Sequence, residues 1–183
     1  LFMTCGCAPA LVSVAHALTT SPEDEFIAIA PFFPEYNVFF TCAGAKLAVV
    51  PADTVHFQID MDALEKTINE HSVAVVINSP NNPSGVVYTE ETLTKIAELL
   101  ERKSKEYGHP IYIVADEPYR ELVYDGVKVT FIPNVYDNTI VCYSWSKSLS
   151  LPGERIGYVY VPEKCADAKA VYDTVSGAAR EIG

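Results

Sequence analysis

Basic residues are scarce in this sequence. Of its 183 residues, 13 are Lys or Arg and 24 are Asp or Glu, which gives a net charge of −11. Nucleic acids and anionic membrane surfaces attract basic patches, so this balance argues against either as the main partner. No apolar run approaches the roughly 18–20 residues that a membrane-spanning helix requires. The first basic residue is Lys46, so we expect no signal or transit peptide, which would begin with a basic region.

The sequence also lacks the cysteine and histidine spacings of metal sites and disulfide frameworks. Its cysteines number five and include no CxxC pair, and its four histidines are scattered. We therefore predict no metal site, and we expect reduced thiols in a cytoplasmic protein. Apolar residues make up 49% of the chain. That fraction is enough for one sizeable core and too high for a disordered chain.

Short apolar runs alternate along the chain with longer amphipathic stretches. Runs such as AVVI and IYIVA are apolar throughout, which is typical of strands buried on both faces of a parallel sheet. This alternation predicts an α/β layered sandwich. The predicted strands are Leu1–Thr4, Phe26–Ala30, Lys46–Val50, Val73–Ile77, Ile111–Ala115, Thr139–Tyr143 and Ile156–Val161. The predicted helices are Pro9–Leu18, Pro34–Ala43, Met61–Glu70, Thr89–Tyr107 and Glu163–Ala179.

The turns after the first and fourth strands are candidate ligand sites, because open α/β sheets bind ligands beyond the carboxyl ends of their strands. After the first strand, Gly6 permits a tight turn, and the amides of Cys7 and Ala8 would face an anion from a helix N-terminus. After the fourth strand, the SPNNPSG segment forms a rigid turn that would present an Asn amide as a hydrogen-bond donor. A purely structural role stays open for both turns.

Charged residues follow the fifth and sixth strands. Asp116 comes directly after IYIVA, and a buried carboxylate needs a partner. Two kinds of partner stay open: the cationic nitrogen of a heterocycle, or a protein group such as a helix N-terminus or an Arg. Lys147 follows the sixth strand, where a Lys is costly unless it has a function such as Schiff-base formation. Ser144, Ser146 and Arg155 offer hydroxyls and a guanidinium to a phosphate. The alternative for this last segment is a solvated polar loop.

Together these groups are the parts that a pyridoxal phosphate site requires. The segments SPNNPSG, ADEPYRELVYDG and SWSKSLSLPGERIGYV resemble the class I/II pyridoxal-phosphate-dependent aminotransferases of fold type I, and most closely the aspartate-aminotransferase-like group of bacteria. The resemblance covers nearly the whole chain. Its most specific part is the serine–lysine motif with an Arg eight residues after the Lys.

The resemblance implies a three-layer sandwich around a mostly parallel seven-stranded sheet, and it implies a role for each matching residue. Lys147 would form the Schiff base with pyridoxal 5'-phosphate, and Asp116 would pair with the pyridine nitrogen. Tyr119 and Asn82 would bond the phenolic oxygen. Phe33 would stack on the ring, where the family usually has Tyr or Trp. The phosphate would be held by the turn and its neighbours: Gly6, Cys7, Ala8, Ser144, Ser146 and Arg155.

The implied activity is transfer of an amino group between an amino acid and a 2-oxo acid, with Lys147, Asp116 and Tyr119 as catalytic residues. We expect residues 1–183 to be the large cofactor-binding domain of a longer enzyme, without the N-terminal arm and the small domain that carries the substrate-carboxylate Arg. The full-length form is expected to be a homodimer. Two alternatives stay open: another reaction on this scaffold, such as a carbon–sulfur β-lyase, and a catalytically silent cofactor-binding domain.

Overall fold

A computed structural model describes residues 1–182. In that range one sheet contains seven strands, and the bounds of each predicted strand are confirmed to within one residue. Its order is β1-β7-β6-β5-β4-β2-β3. β7 runs antiparallel to both of its neighbours, and the other pairs are parallel. The strands are β1 (Phe2–Thr4), β2 (Glu25–Ile29), β3 (Lys46–Val50), β4 (Ser72–Asn78), β5 (Tyr112–Asp116), β6 (Thr139–Ser144) and β7 (Gly157–Tyr160).

Six α-helices lie in the described part of the chain: α1 (Cys7–Leu18), α2 (Tyr36–Cys42), α3 (Met61–Thr67), α4 (Glu90–Tyr107), α5 (Trp145–Ser148) and α6 (Ala168–Ile182). The single turn of α5 was not predicted. α1 begins two residues before the predicted Pro9, because Pro is tolerated in the first turn, where its missing amide would have no partner. α6 begins at Ala168 rather than Glu163, since Asp167 has a φ of 53°, outside the helical region.

The longest helix has the predicted ends. The Thr89 side-chain oxygen accepts a hydrogen bond from the amide of Thr92 at 3.1 Å, which satisfies one of the free donors of the first turn. At the other end, Gly108 adopts the left-handed conformation with a φ of 78°, where glycine has no steric penalty. No helix within residues 1–182 combines the length and apolar character needed to cross a membrane.

The core consists of two apolar layers, one on each face of the sheet. Ala74 and Val76 of β4 pack in the layer that contains α1 and α6. Val75 and Ile77 of the same strand pack in the layer that contains α3 and α4. Alternate side chains of a strand point to opposite faces, so both faces of this strand are apolar, as its continuous apolar run predicted. The three-layer α/β sandwich is confirmed.

The sheet brings the ends of its central strands side by side. Asn78 at the end of β4 is in register with Asp116 at the end of β5. The antiparallel β7 begins beside the ends of β6 and β1, where Gly157 faces Ser144 and Thr4. Residues from distant parts of the sequence therefore meet at one edge of the sheet.

Candidate functional site

A cavity of about 340 Å³ opens at this edge, where the end of β5, the end of β6 and the first turn of α1 meet. Of the eleven predicted site residues, only Gly6 does not line it. The ten that do are Cys7, Ala8, Phe33, Asn82, Asp116, Tyr119, Ser144, Ser146, Lys147 and Arg155.

At one end of the cavity, Gly6 and Arg155 approach each other closely. Gly6 has a φ of 102°, and a Cβ at this position would overlap the Arg155 guanidinium. That guanidinium donates to the Cys5 carbonyl at 3.1 Å and to the Pro152 carbonyl at 3.0 Å. The absence of a side chain at Gly6 therefore lets the guanidinium lie against the N-terminus of α1. The free amides of that N-terminus also favour negative charge.

Asp116 lies buried at the end of β5 and is 4% exposed. Its Oδ1 accepts a hydrogen bond from the Cys7 thiol at 3.1 Å, and its Oδ2 accepts one from the Tyr36 hydroxyl. Burial raises the pKa of Asp116 above its ordinary value, and the two hydrogen bonds offset this only in part. The sequence left a helix N-terminus or an Arg open as protein partners, but within residues 1–182 neither donates to the Asp116 side chain. The carboxylate instead has two neutral donors, a thiol and a phenol.

The two donors to Asp116 keep their protons. Burial first, and then the charge of Asp116, raise the pKa of the Cys7 thiol and that of the Tyr36 hydroxyl well above their ordinary values. The sequence assigned Cys7 only a backbone contact and did not identify Tyr36. The ring of Tyr36 meets that of Phe33, three residues earlier in PFFPEY, edge to face at 5.8 Å.

Lys147 lies in α5, directly beyond the buried β6, and its side chain is exposed. After β6 the chain turns into α5, which carries this side chain to the open cavity rather than into the core. Its Nζ lies 5.7 Å from the centre of the Tyr119 ring. Burial and the charge of Asp116 raise the pKa of Tyr119, and a hydrogen bond with Asn82 opposes them.

An ion pair holds the turn that carries Tyr119. Arg120 donates to Glu117 Oε2 at 2.5 Å, and its guanidinium lies 4.7 Å from the centre of the Phe131 ring. Glu117 is 2% exposed, and its Oε1 has no hydrogen-bond partner within residues 1–182. Burial raises the pKa of Glu117 to about 6. The turn is thus fixed on both sides of Tyr119.

Asn78 joins two of the site loops and was also missed by the sequence analysis. Its Nδ2 donates to the Asp116 carbonyl at 2.7 Å, and its Oδ1 accepts from the Asn82 amide at 2.6 Å. Because Asn78 is buried, each of these bonds forms without competition from water. The SPNNPSG turn is therefore anchored to the end of β5.

The comparisons with known proteins agree on one family. The family model described as aminotransferase class I and II matches residues 2–181. A probable N-acetyl-LL-diaminopimelate aminotransferase of Bacillus subtilis is 32% identical over 91% of this chain and 40% of its own length. The aspartate aminotransferase of the same organism is 38% identical over 78% of this chain and 38% of its own length. The chain thus spans about two fifths of the length of these curated relatives.

Solved structures show the same partial coverage. An amino transferase from Eubacterium rectale superposes with a TM-score of 0.97 at 63% identity, over 99% of this chain and 46% of that one. The Thermus thermophilus aspartate aminotransferase with maleate superposes with a TM-score of 0.83 at 28% identity, over 98% of this chain and 44% of that one.

Proposed function

The chain belongs to the class I and II aminotransferases, and we propose that it is the large, cofactor-binding domain of an enzyme that transfers an amino group between an amino acid and a 2-oxo acid. The family depends on pyridoxal 5'-phosphate. One observation carries the proposal: a buried carboxylate, Asp116, lines the same cavity as Lys147 and is hydrogen-bonded by neutral donors. An anion held in this way suits a cationic ring nitrogen.

The donor set of the cavity fits the cofactor. A phosphate suits the Arg155 guanidinium, the hydroxyls of Ser144 and Ser146, and the amides at the start of α1. The overlap that a Cβ at Gly6 would cause with Arg155 supports a close-packed anion site there. Lys147 offers the amine that the cofactor's aldehyde carbon requires. When bound, the cofactor supplies an electron sink for the substrate's Cα.

The remaining roles are those that the family resemblance implies, and the positions of these side chains in the cavity wall support them. Asp116, held by its two donors, would keep a proton on the ring nitrogen of the cofactor. Tyr119 and Asn82 would hydrogen-bond its phenolic oxygen, and Phe33 would stack on its ring. Lys147 would serve as the general base for the proton of the substrate's Cα. Because its side chain is exposed, it reaches the cavity without displacing core residues.

We also propose that the protein is a cytoplasmic homodimer with no nucleic-acid or membrane partner. Its five free cysteines fit a reducing compartment, and its net charge of −11 disfavours polyanions. Three apolar side chains within two positions of cavity-lining residues in the sequence are exposed: Leu149 by 59%, Leu151 by 44% and Ile156 by 43%. Exposed apolar surface of this kind is often covered by other protein, which supports a partner subunit or a further domain beside this segment.

The proposal is tested by locating the amine that binds the cofactor. The protein at its full encoded length is loaded with pyridoxal 5'-phosphate, reduced with borohydride and mapped by peptide mass spectrometry. The label is expected on Lys147, and Lys147→Ala should abolish it. Lys164→Ala is the matched control, because Lys164 is an exposed lysine away from the cavity. A label on Lys128 or Lys164, or no label, would reject the proposed function.

A further inference from the structure

Cys7 brings a thiol to a position where the proposed function needs only a backbone amide. It is the first residue of α1 and lines the cavity beside Asp116. Its Sγ lies 3.1 Å from Asp116 Oδ1, while Tyr36, at the start of α2, bonds Oδ2. The two oxygens of one carboxylate are therefore held from two different helices, and of these two donors only Cys7 is in the cavity wall.

The thiol acts as the donor in this contact. Burial and the neighbouring charge raise the pKa of Cys7, so the sulfur keeps its proton and directs it to Oδ1. A thiol is a weak donor, but a donor to an ionised group in a poorly solvated site is worth more than one in water. Each carboxylate oxygen has two acceptor positions, so Oδ1 keeps one position for a further donor from the cavity.

We propose that Cys7 is a positioning residue, whose thiol fixes the Asp116 carboxylate toward the ring nitrogen of the bound cofactor. This inference rests on the proposed function. With both oxygens held, the carboxylate cannot rotate about its bond to Cβ. With the thiol removed, the carboxylate is held by Tyr36 alone, and its affinity for protons rises because one stabilising donor is lost. The shared proton would then shift from the ring nitrogen toward Asp116.

Other polar groups surround Asp116, and they do not replace the thiol. Cys142 and Glu117 are close enough that each has its own pKa raised by the charge of Asp116, but neither donates to its side chain. Asn78 donates to the backbone carbonyl of Asp116 and not to its carboxylate. The titratable groups that face the carboxylate or share its cavity are Cys7, Tyr36, Glu117, Tyr119, Cys142 and Lys147.

The test compares two substitutions of Cys7 in the protein at its full encoded length. Cys7→Ala removes the donor, and Cys7→Ser keeps one. Binding of pyridoxal 5'-phosphate is titrated by absorbance across a pH series, and nitrogen NMR of cofactor labelled at the ring nitrogen reports its protonation. Cys7→Ala should weaken binding by about three- to tenfold, the range of one hydrogen bond, and should lower proton occupancy at the ring nitrogen. Cys7→Ser should match the wild type in both.

Cys142→Ala is the matched control, because Cys142 is a buried thiol near Asp116 that makes no hydrogen bond to it. It should leave affinity and ring protonation unchanged. Cys7→Val, which also lacks a donor, repeats the test if the alanine variant has a lowered melting temperature. Equal behaviour of the donor-free and serine variants, whether both normal or both impaired, overturns the positioning role. Failure of the wild-type protein to bind the cofactor overturns the proposed function itself.

Discussion

At the scale of single residues, the site is organised around one negative charge in a buried place. Asp116 is 4% exposed and has two neutral donors, an arrangement that leaves its charge free to stabilise a positive group. We therefore expect Asp116→Asn to reduce turnover of the full-length enzyme by about 10²–10³-fold, the effect of removing one preorganised electrostatic contact. Asp137→Asn, at a surface residue with a 63% exposed side chain, is the control. Near-normal turnover of Asp116→Asn, measured by steady-state kinetics, would remove this carboxylate from the mechanism.

Glu117 gives a second prediction at this scale, concerning stability. Burial raises its pKa from 4.5 to about 6. Between these two pH values the Glu117 carboxyl is therefore mostly protonated in the folded state and mostly ionised in the unfolded state. Its contribution to stability is therefore full below pH 4.5 and is lost as the pH rises through about 6, a change of about 2 kcal/mol. Urea unfolding of wild type and Glu117→Gln at several pH values measures this. The free energy of unfolding of wild type relative to the variant should fall across this interval, and a constant difference would contradict the prediction.

The sequence was informative for residues whose signal is local. Asp116 and Lys147 each stand beside a long apolar run, and so they were identified without knowledge of the fold. Tyr36 and Cys7 reach Asp116 across 80 and 109 positions of the chain, and no local pattern reports such a contact. Asn78 was missed because the predicted strand ended one residue before it.

At the scale of elements, the site depends on how closely β7 approaches its neighbours. A Cβ on Gly157 would lie 2.6 Å from the Tyr143 carbonyl oxygen and 2.7 Å from the backbone of Gly6. These atoms belong to the backbone, so they cannot move aside without separating β7 from the Gly6 turn. We expect Gly157→Ala to lower the free energy of unfolding by about 1–3 kcal/mol, as overpacked cores do.

Gly153 offers a matched control for this substitution. It lies in the 3₁₀ turn between α5 and β7, and a Cβ there would meet no atom within 4 Å. Gly153→Ala should change the free energy of unfolding by no more than about 0.5 kcal/mol, as surface substitutions do. Urea titration of both variants makes the comparison. Equal effects of the two substitutions would show that the close approach of β7 is not a constraint.

The elements also show where the sequence pattern stops being informative. Apolar runs identified all seven strands. Burial on both faces leaves a continuous run in the central β4, β5 and β6, whereas β1, β3 and β7 are only partly buried. The runs did not reveal α5, whose single turn is too short to show helical periodicity. The antiparallel direction of β7 was not predicted either, since an apolar run looks the same in both directions.

At the scale of the whole molecule, the groups that we propose to hold the cofactor lie together in one cavity, but within residues 1–182 this cavity offers few groups for a substrate. Arg155 is the one arginine that lines the cavity within residues 1–182. Of the other three arginines, Arg102 pairs with Glu65, Arg120 pairs with Glu117, and Arg180 lines a different cavity beside β1. A substrate carboxylate would therefore lack the forked, bidentate partner that aligns it.

The last prediction follows from this imbalance: the 183-residue chain folds and takes up pyridoxal 5'-phosphate, but it does not transaminate alone. The complete sheet, covered by helices on both faces, supports folding. Turnover requires the substrate's Cα–H bond to be aligned, a contribution of roughly 7–11 kcal/mol, and an open cavity with an exposed Lys147 does not exclude water.

The measurement is a paired assay of this chain and the full-length protein with aspartate and 2-oxoglutarate, then with other amino acids. Formation of pyruvate, ammonia and thiol by the full-length protein would instead indicate a lyase. Turnover by the chain alone within about tenfold of the full-length rate, a barrier difference of only about 1.4 kcal/mol, would contradict the prediction and place the substrate-binding group among the residues assigned here to structure.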